Sequence, residues 1–202
     1  MIYGIFFIFA GYLSGSILFA YLIPKYFYHI DICRLSDDQN PGAFNAFAHT
    51  GIRTGTLILL LELAKGFFPV HIALHVLSPT DPLFALVLAA PVIGHAFPLF
   101  HPRMGGKAIA VSFGCLLGLY PDLHPVLTLA AFYLIFSLLL VIDPHLFRSM
   151  ITYLCLCLNV LRTVPLRLQL FAQCRHKHPQ RSNIVFPAAA PNLLRDIGVR
   201  QH

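Results

Sequence analysis

The chain has very little charge for its length. Of its 202 residues, 57% are hydrophobic and only 11% are charged, whereas soluble domains carry about 25% charged residues. The stretch 1–23 contains no charged residue. Because it lacks a basic start and an Ala-x-Ala cleavage site, we interpret it as a retained membrane span and not as a signal peptide. These shortages exclude an ordinary soluble domain. They predict an all-α integral membrane protein, a small bundle of six to seven short transmembrane helices.

Cysteine is also scarce and shows no metal-binding spacing. The five cysteines form no Cys-x-x-Cys or zinc pattern, so they predict no metal site. Three of them, Cys115, Cys155 and Cys157, lie inside apolar runs and are expected to be buried thiols. The net charge of +6 comes from loops and the C-terminal tail, and therefore does not indicate a nucleic-acid partner.

Lysine and arginine fall in alternate gaps between the apolar runs. They follow the first, third and fifth runs, which predicts that these gaps are cytoplasmic and that the N-terminus is outside. The two most polar loops then lie on the same side of the bilayer, where they can form one site. The predicted spans are residues 2–23, 54–77, 82–100, 108–120, 125–142 and 147–161.

The C-terminal part departs from this alternation because it is basic after an even number of spans. Two arrangements would return it to the cytoplasm: a re-entrant sixth apolar region, or a degenerate seventh element at 164–174. We divide the chain into one transmembrane domain at 1–175 and a basic, proline-containing cytoplasmic tail at 176–202.

The loop at 94–111 carries the most informative chemistry, with the sequence GHAFPLFHPRMGGKAIAV. Gly105 and Gly106 free the backbone to turn and to bring N–H groups close to a ligand. The helix predicted after them directs its positive end at the same place, and Lys107 adds a cation. This pattern predicts an anion site, most simply for a phosphate, at the membrane edge. The alternative is an ordinary interhelical loop with a cytoplasmic lysine.

A second polar loop occupies 36–51, with the sequence SDDQNPGAFNAFAHTG. The run from Asn40 to Gly42 is a turn signal, and Asn45 lies at a predicted helix start. Long polar loops between membrane helices are often functional. The alternative is a solvated turn in which Asp and Asn cap a helix.

Two ionisable residues interrupt the second apolar run. Glu62 and Lys65 are three residues apart and therefore lie on one helix face. Because charges at membrane depth are costly, they are expected to pair. The pair is either an internal ion pair that holds the bundle together, which we favour, or part of a site.

Three stretches together resemble the motifs of the bacterial acyl-phosphate:glycerol-3-phosphate acyltransferases, the PlsY family. Residues 15–23 read GSILFAYLI, similar to GSIPxGYLI; residues 37–48 read DDQNPGAFNAFA, similar to GSGNxGATNxxR. Residues 94–108 read GHAFPLFHPRMGGKA, similar to GHxFPxFxxFxGGKG. The resemblance implies a small bundle of about seven helices in the bacterial cell membrane and a role in phospholipid biosynthesis.

The implied reaction moves an acyl chain from an acyl phosphate to the 1-hydroxyl of glycerol 3-phosphate, giving lysophosphatidic acid and phosphate. The resemblance implies that no cofactor is needed and that no coenzyme A, acyl carrier protein or metal takes part. The partners are the lipid bilayer and the two substrates. Without the resemblance, the sequence is compatible with two other functions: a membrane transporter or binding protein for an anionic solute, and a catalytically inactive paralogue.

The motif positions also imply site residues. His95, Lys107 and Asn45 are the candidate catalytic residues, and His95 either accepts a proton from the attacking hydroxyl or orients a helix end. The candidate substrate- and phosphate-binding residues at motif positions are Ser16, Asn40, Gly42, Gly105 and Gly106. Arg103, a basic residue of the same loop as Lys107, is a further candidate for phosphate binding.

The sequence departs from the motifs at several of their positions. The GSG of the second motif is replaced by Asp37-Asp38-Gln39, which puts like charge where a phosphate is expected unless a cation intervenes. Leu18 replaces the proline of the first motif, Ala48 replaces an arginine of the second, and Ala108 replaces the last glycine of the third.

Overall fold

A computed structural model of the protein describes residues 1–36, 38–102, 104–140 and 147–159, and all regular structure in these ranges is helical. The chain divides into two compact units, Met1–Leu127 and a second that begins at Thr128. The helices are α1 (Ile2–Ser16), α2 (Phe19–Tyr28), α3 (Ile32–Leu35), α4 (Ala43–Val76), α5 (Pro82–Ala96), α6 (Ile109–Leu117) and α7 (His124–Leu134). A π-helical turn, Ile135–Leu139, continues α7, and residues 147–159 form a further helix.

The first apolar run is two helices and not one. The backbone leaves the helical conformation at Ile17 and Leu18. The predicted end of the first span at residue 23 was wrong, because α2 continues through Pro24 to Tyr28. A proline loses its own N–H but keeps its carbonyl, and the Pro24 carbonyl accepts hydrogen bonds from the N–H groups of His29 and Ile30 where the helix ends.

The second run begins earlier than predicted. Helix α4 begins at Ala43, but it is kinked at Gly51, whose φ of +82° and ψ of 173° are not helical. That region of conformational space is essentially restricted to glycine. By length and composition, Ile2–Tyr28 and Ala43–Val76 are the two stretches of described helix able to cross a membrane, and Pro82–Ala96 and His124–Leu139 are shorter apolar helices.

Small residues let the helices of the first unit approach closely. Helix α1 packs against α5, and α4 packs against α6. A Cβ at Gly15 would overlap the backbone of Pro91, and a Cβ at Gly94 would overlap the carbonyl of Tyr12. Such crossings are typical of membrane helices, where close van der Waals packing replaces the hydrophobic effect.

The distribution of polarity is the reverse of that in a soluble protein. Large apolar side chains are exposed, such as Phe6 at 62% and Phe68 at 57%, while Glu62, Lys65 and His95 are 1–5% exposed. A surface of this kind suits a lipid environment. The all-α membrane-protein class predicted from composition is confirmed.

The cysteine prediction holds only in part. Cys115 is buried, but Cys155 is partly exposed and Cys157 is exposed. The expectation failed for these two cysteines because an apolar segment of a membrane protein can face lipid, so its side chains need not be buried against other helices. The predicted element at 164–174 and the tail at 176–202 lie outside the described residues.

Candidate functional site

The break between α1 and α2 is stabilised by charged side chains of α4. The ammonium of Lys65 lies 2.6 Å from the carbonyl oxygen of Ile17 and 2.7 Å from Oε2 of Glu62. The other carboxylate oxygen of Glu62, Oε1, accepts a hydrogen bond of 3.3 Å from the N–H of Ala20. A helix break leaves carbonyl and N–H groups without partners, so this ion pair satisfies one group on each side of the break.

His95 joins the ion pair at the C-terminal end of α5. Its Nδ1 lies 2.9 Å from Nζ of Lys65 and 3.2 Å from Oε2 of Glu62. The three side chains are 2–6% exposed and connect α4 and α5 to the break after α1. We call Glu62, Lys65 and His95 the buried triad. The expected internal ion pair between Glu62 and Lys65 is confirmed, and it has a third member.

The glycine pair folds back onto the end of α5. The N–H of Gly106 donates a 3.1 Å hydrogen bond to the carbonyl of His95. A Cβ at Gly106 would overlap Nε2 of His95, and a Cβ at Gly105 would overlap the carbonyl oxygen of Ala96. Helix α6 begins shortly afterwards, with Ala108 at φ +56° as its N-cap. The left-handed conformation explains why glycine suits that motif position.

The two polar loops meet at Asp38. Oδ2 of Asp38 is 2.7 Å from Nζ of Lys107, and Oδ1 accepts hydrogen bonds from Nδ2 of Asn45 at 2.9 Å and from the N–H of Asn40 at 3.3 Å. Nδ2 of Asn45 also donates to the carbonyl of Asn40 at 2.8 Å. We call Asp38, Asn40, Asn45 and Lys107 the outer cluster. Lys107 and Asp38 are 36% and 42% exposed, so the cluster faces solvent.

Comparison with known proteins identifies the family of the chain. The family described as glycerol-3-phosphate acyltransferase matches residues 5–184. The chain belongs to the glycerol-3-phosphate acyltransferase family. It is similar to a glycerol-3-phosphate acyltransferase of Thermotoga petrophila, at 45% identity over 52% of each chain. It is also similar to one of Maridesulfovibrio salexigens, at 39% identity over 72% of this chain and 70% of that one.

A solved structure of a glycerol-3-phosphate acyltransferase family member resembles the fold. The crystal structure of PlsY (YgiH), described as an integral membrane glycerol 3-phosphate acyltransferase in its glycerol 3-phosphate form, has a TM-score of 0.67 and 26% identity. The match covers 79% of this chain and 77% of that one. This chain nevertheless spans only about half the length of some curated relatives that it matches.

The outer cluster keeps its carboxylate ionised. Partial burial acts to raise the pKa of Asp38, but the hydrogen bonds from Lys107, Asn45 and Asn40, together with the charge of Lys107, hold the pKa below its usual value. The sequence places the negative charge of Asp38 where a phosphate is expected, and the structure shows that the ammonium of Lys107 is paired with that charge. Sequence reasoning missed this partnership, although the adjacent acidic residues of the loop were a signal for it.

The other candidate residues of the family motifs are distributed around the two clusters. The hydroxyl of Ser16 is buried and donates a hydrogen bond to the carbonyl of Tyr12 in its own helix. Gly42 is the N-cap of α4, and its N–H donates to the carbonyl of Asn40. Arg103 lies outside the described residues. The structure therefore brings together Asn40, Asn45 and Lys107 in one cluster, and places His95 against Gly106, the residue before Lys107.

Proposed function

We propose that the protein transfers an acyl group from an acyl phosphate to the 1-hydroxyl of glycerol 3-phosphate. One observation carries this proposal: Lys107, Asn45 and the N–H of Asn40 all contact one carboxylate, that of Asp38. An ammonium, an amide N–H and a backbone N–H that converge on one anion are the donors that a phosphate needs. Membership of the family supplies the reaction class.

The phosphate of a substrate would take the place of the Asp38 carboxylate. An exposed ion pair such as Asp38–Lys107 contributes only about 0–1 kcal/mol. A phosphate carries more charge and three acceptor oxygens, so it can displace the carboxylate from Lys107 and Asn45. The N–H of Gly106 is bonded to the carbonyl of His95, so we assign the anion contacts to Lys107, Asn45 and the N–H of Asn40.

The proposed reaction does not require a nucleophilic side chain of the protein. The 1-hydroxyl oxygen attacks the acyl carbon, an ester bond forms, and the bond between the acyl carbon and the phosphate oxygen breaks. The hydroxyl proton leaves with the phosphate, so charge and atoms balance without a metal or coenzyme. Because phosphate is a good leaving group, positioning and charge stabilisation supply the rate acceleration.

The surface of the protein suits lipid substrates. Exposed apolar side chains on α1 and α4 offer a bilayer-facing surface to an acyl chain, and the outer cluster offers a polar one to the phosphate. The relative with a solved structure is described in glycerol 3-phosphate and lysophosphatidic acid forms. We place the protein in the bacterial cell membrane as a multi-pass protein, with the motif loops cytoplasmic and the N-terminus outside.

The test is turnover by purified protein in lipid nanodiscs. Palmitoyl phosphate and labelled glycerol 3-phosphate should give labelled lysophosphatidic acid and free phosphate in equal amounts. Lys107→Ala should reduce product at least tenfold while the protein stays folded. Lys25→Ala is the matched control, because Lys25 is an exposed lysine that hydrogen-bonds Tyr21 and lies outside both clusters.

Other outcomes separate the remaining function classes. Uptake of glycerol 3-phosphate or phosphate into vesicles without lysophosphatidic acid would indicate a transporter. Folded protein that gives neither product nor uptake would indicate an inactive paralogue. Equal product from Lys107→Ala and the wild type would contradict the assignment of Lys107 to phosphate binding.

A further inference from the structure

Three polar atoms surround the ammonium of Lys65. Its Nζ lies 2.6 Å from the carbonyl of Ile17, 2.7 Å from Oε2 of Glu62 and 2.9 Å from Nδ1 of His95. An ammonium has three donors and no acceptor. The ammonium is hydrogen-bonded to the carbonyl of Ile17 and to Nδ1 of His95, whereas Oε2 of Glu62 lies within ion-pair distance but has no hydrogen-bond partner among the described residues. Because an ammonium can only donate, Nδ1 of His95 takes part in its contact with Lys65 through the ring lone pair.

A hydrogen bond from Lys65 to Nδ1 would determine the tautomer of His95. A neutral imidazole that accepts at Nδ1 carries its proton on Nε2. The carboxylate of Glu62 alone would favour the opposite tautomer, but it lies 3.2 Å from Nδ1 and the Lys65 ammonium is closer. A protonated ring would point an Nδ1–H at the ammonium and place two cations beside one buried carboxylate, which is costly in a desolvated site.

The proton on Nε2 faces the glycine pair. Nε2 of His95 occupies the space that a Cβ at Gly106 would fill, and the N–H of Gly106 bonds the carbonyl of the same histidine. Glycine at 106 thus lets the imidazole edge reach the turn that carries Lys107. A side chain at this position would separate the ring from the turn.

We propose that Lys65 holds His95 in the Nε2–H tautomer, so that His95 presents a hydrogen-bond donor, and not a proton acceptor, to the turn Gly105–Lys107. Lys65 is then a positioning residue that acts through His95. In the proposed acyl transfer, the Nε2–H would donate to an oxygen of the bound substrate. That functional part rests on the proposed function, whereas the tautomer does not depend on it.

The tautomer is measured directly. Protein labelled with ¹⁵N-histidine in detergent micelles gives long-range ¹H–¹⁵N correlations that distinguish Nδ1–H from Nε2–H, and His95→Gln identifies the signal of His95. We expect the Nε2–H pattern in the wild type. An Nδ1–H pattern, or a doubly protonated ring at neutral pH, would overturn the proposal without reference to any activity.

The variant Lys65→Met tests whether Lys65 determines the tautomer of His95. Lys65→Met removes the ammonium but keeps an unbranched side chain, so the nearest partner of Nδ1 becomes the carboxylate of Glu62. We expect the tautomer to change to Nδ1–H. An unchanged Nε2–H pattern in folded Lys65→Met would show that Lys65 does not set it, and if this variant does not fold, the wild-type spectrum decides.

Turnover tests the donor role. The side-chain amide of His95→Gln can donate from about the position of Nε2, whereas His95→Leu cannot donate. We expect kcat/KM of His95→Gln to stay within about tenfold of the wild type, and that of His95→Leu to fall about 100-fold or more, as for loss of one preorganised donor. His75→Gln, at an exposed histidine of α4, is the control.

A proton acceptor would give a different result. Glutamine cannot act as a base, so both His95 variants would then fall together by about 10²–10⁴-fold, and the donor role would be refuted. If the wild type has no acyltransferase activity, the proposed function fails, while the spectrum still decides the tautomer.

Discussion

Removal of the Lys65 charge should destabilise the protein strongly. Lys65→Met leaves the carboxylate of Glu62 buried without its ammonium, at 2% side-chain exposure. It also removes the donor to the carbonyl of Ile17 at the helix break. Breaking a buried ion pair by removing one partner costs about 3–5 kcal/mol, and an orphaned buried carbonyl about 1–3 kcal/mol. Because the two costs overlap, we expect a loss of about 3–5 kcal/mol in unfolding free energy.

The double variant separates charge from packing. Glu62→Gln removes the negative charge but keeps an amide oxygen that can accept the N–H of Ala20. In Glu62→Gln combined with Lys65→Met no buried charge is left unpaired in the Glu62–Lys65 pair. The double variant should therefore cost at least about 2 kcal/mol less than the sum of the two single variants, which is the expected sign for directly coupled residues.

Cys115 is a native probe for this measurement. It is 2% exposed and belongs to the core of the first unit, so a thiol reagent reaches it only when the protein opens. Replacement of the other four cysteines by serine leaves it as the single reactive thiol. A loss of 3–5 kcal/mol in the opening free energy should accelerate labelling by roughly 100-fold to several-thousand-fold.

The result that would refute this reasoning is specific. Labelling of Lys65→Met less than about threefold faster than in the wild-type background would mean that the pair contributes little. Costs of the single variants that add in the double variant would mean that Glu62 and Lys65 do not interact energetically. Lys25→Met, at the exposed end of α2, controls for loss of a lysine and should label at the background rate.

Three further predictions use the same protein. Asp38→Asn should tighten glycerol 3-phosphate binding up to about fivefold by calorimetry, the worth of an exposed ion pair; weaker binding would refute displacement of Asp38. Gly51→Ala should lower the unfolding free energy by about 1–3 kcal/mol, because its φ of +82° is strained for alanine; an unchanged labelling rate would contradict this. Leu18→Pro should cost less than Leu13→Pro, since Ile17 and Leu18 are non-helical while Leu13 lies inside α1; equal labelling rates would refute it.

The pH dependence of the outer cluster follows from the lowered pKa of Asp38. A carboxyl group whose pKa is lower in the folded state contributes stability above its unfolded pKa, and this is lost as pH falls through the folded pKa. The Asp38–Lys107 contact should therefore be fully formed at neutral pH. The advantage of Asp38→Asn in substrate binding should be constant from about pH 7 to 8, above both the unperturbed carboxyl pKa of about 3.9 and the second pKa of a phosphate monoester, about 6.

Local patterns in the sequence predicted the elements that depend on near neighbours. Apolar runs predicted the helices, and the three-residue spacing predicted the Glu62–Lys65 pair, because both follow from helix periodicity. The break at Ile17 and Leu18 could not be predicted in this way. Both residues are apolar like their neighbours, and the groups that satisfy the break come from α4, more than 40 residues away.

The site was predictable as a set of motif loops but not as a set of contacts. Asn45 and Lys107 were expected near one another because their loops lie on one side of the membrane in the predicted topology. Asp38 contacts both residues in the structure. In the sequence its negative charge argued against a phosphate site, because the lysine that pairs with it, Lys107, is 69 residues away. The third member of the buried triad, His95, is 30 residues from Lys65 and required the packing of α4 with α5.

The two polar clusters differ in burial, and this difference assigns them different tasks. The buried triad is 2–6% exposed and satisfies backbone groups, so its members cannot exchange partners without a large cost. The pair Asp38–Lys107 is exposed and weak, so it can exchange a carboxylate for a phosphate. Gly106 and Lys107, adjacent in sequence, connect them: the first packs on His95, the second holds Asp38. Under the proposed function, the buried triad supports the backbone of the turn, and the exposed side chain of Lys107 exchanges Asp38 for the substrate phosphate.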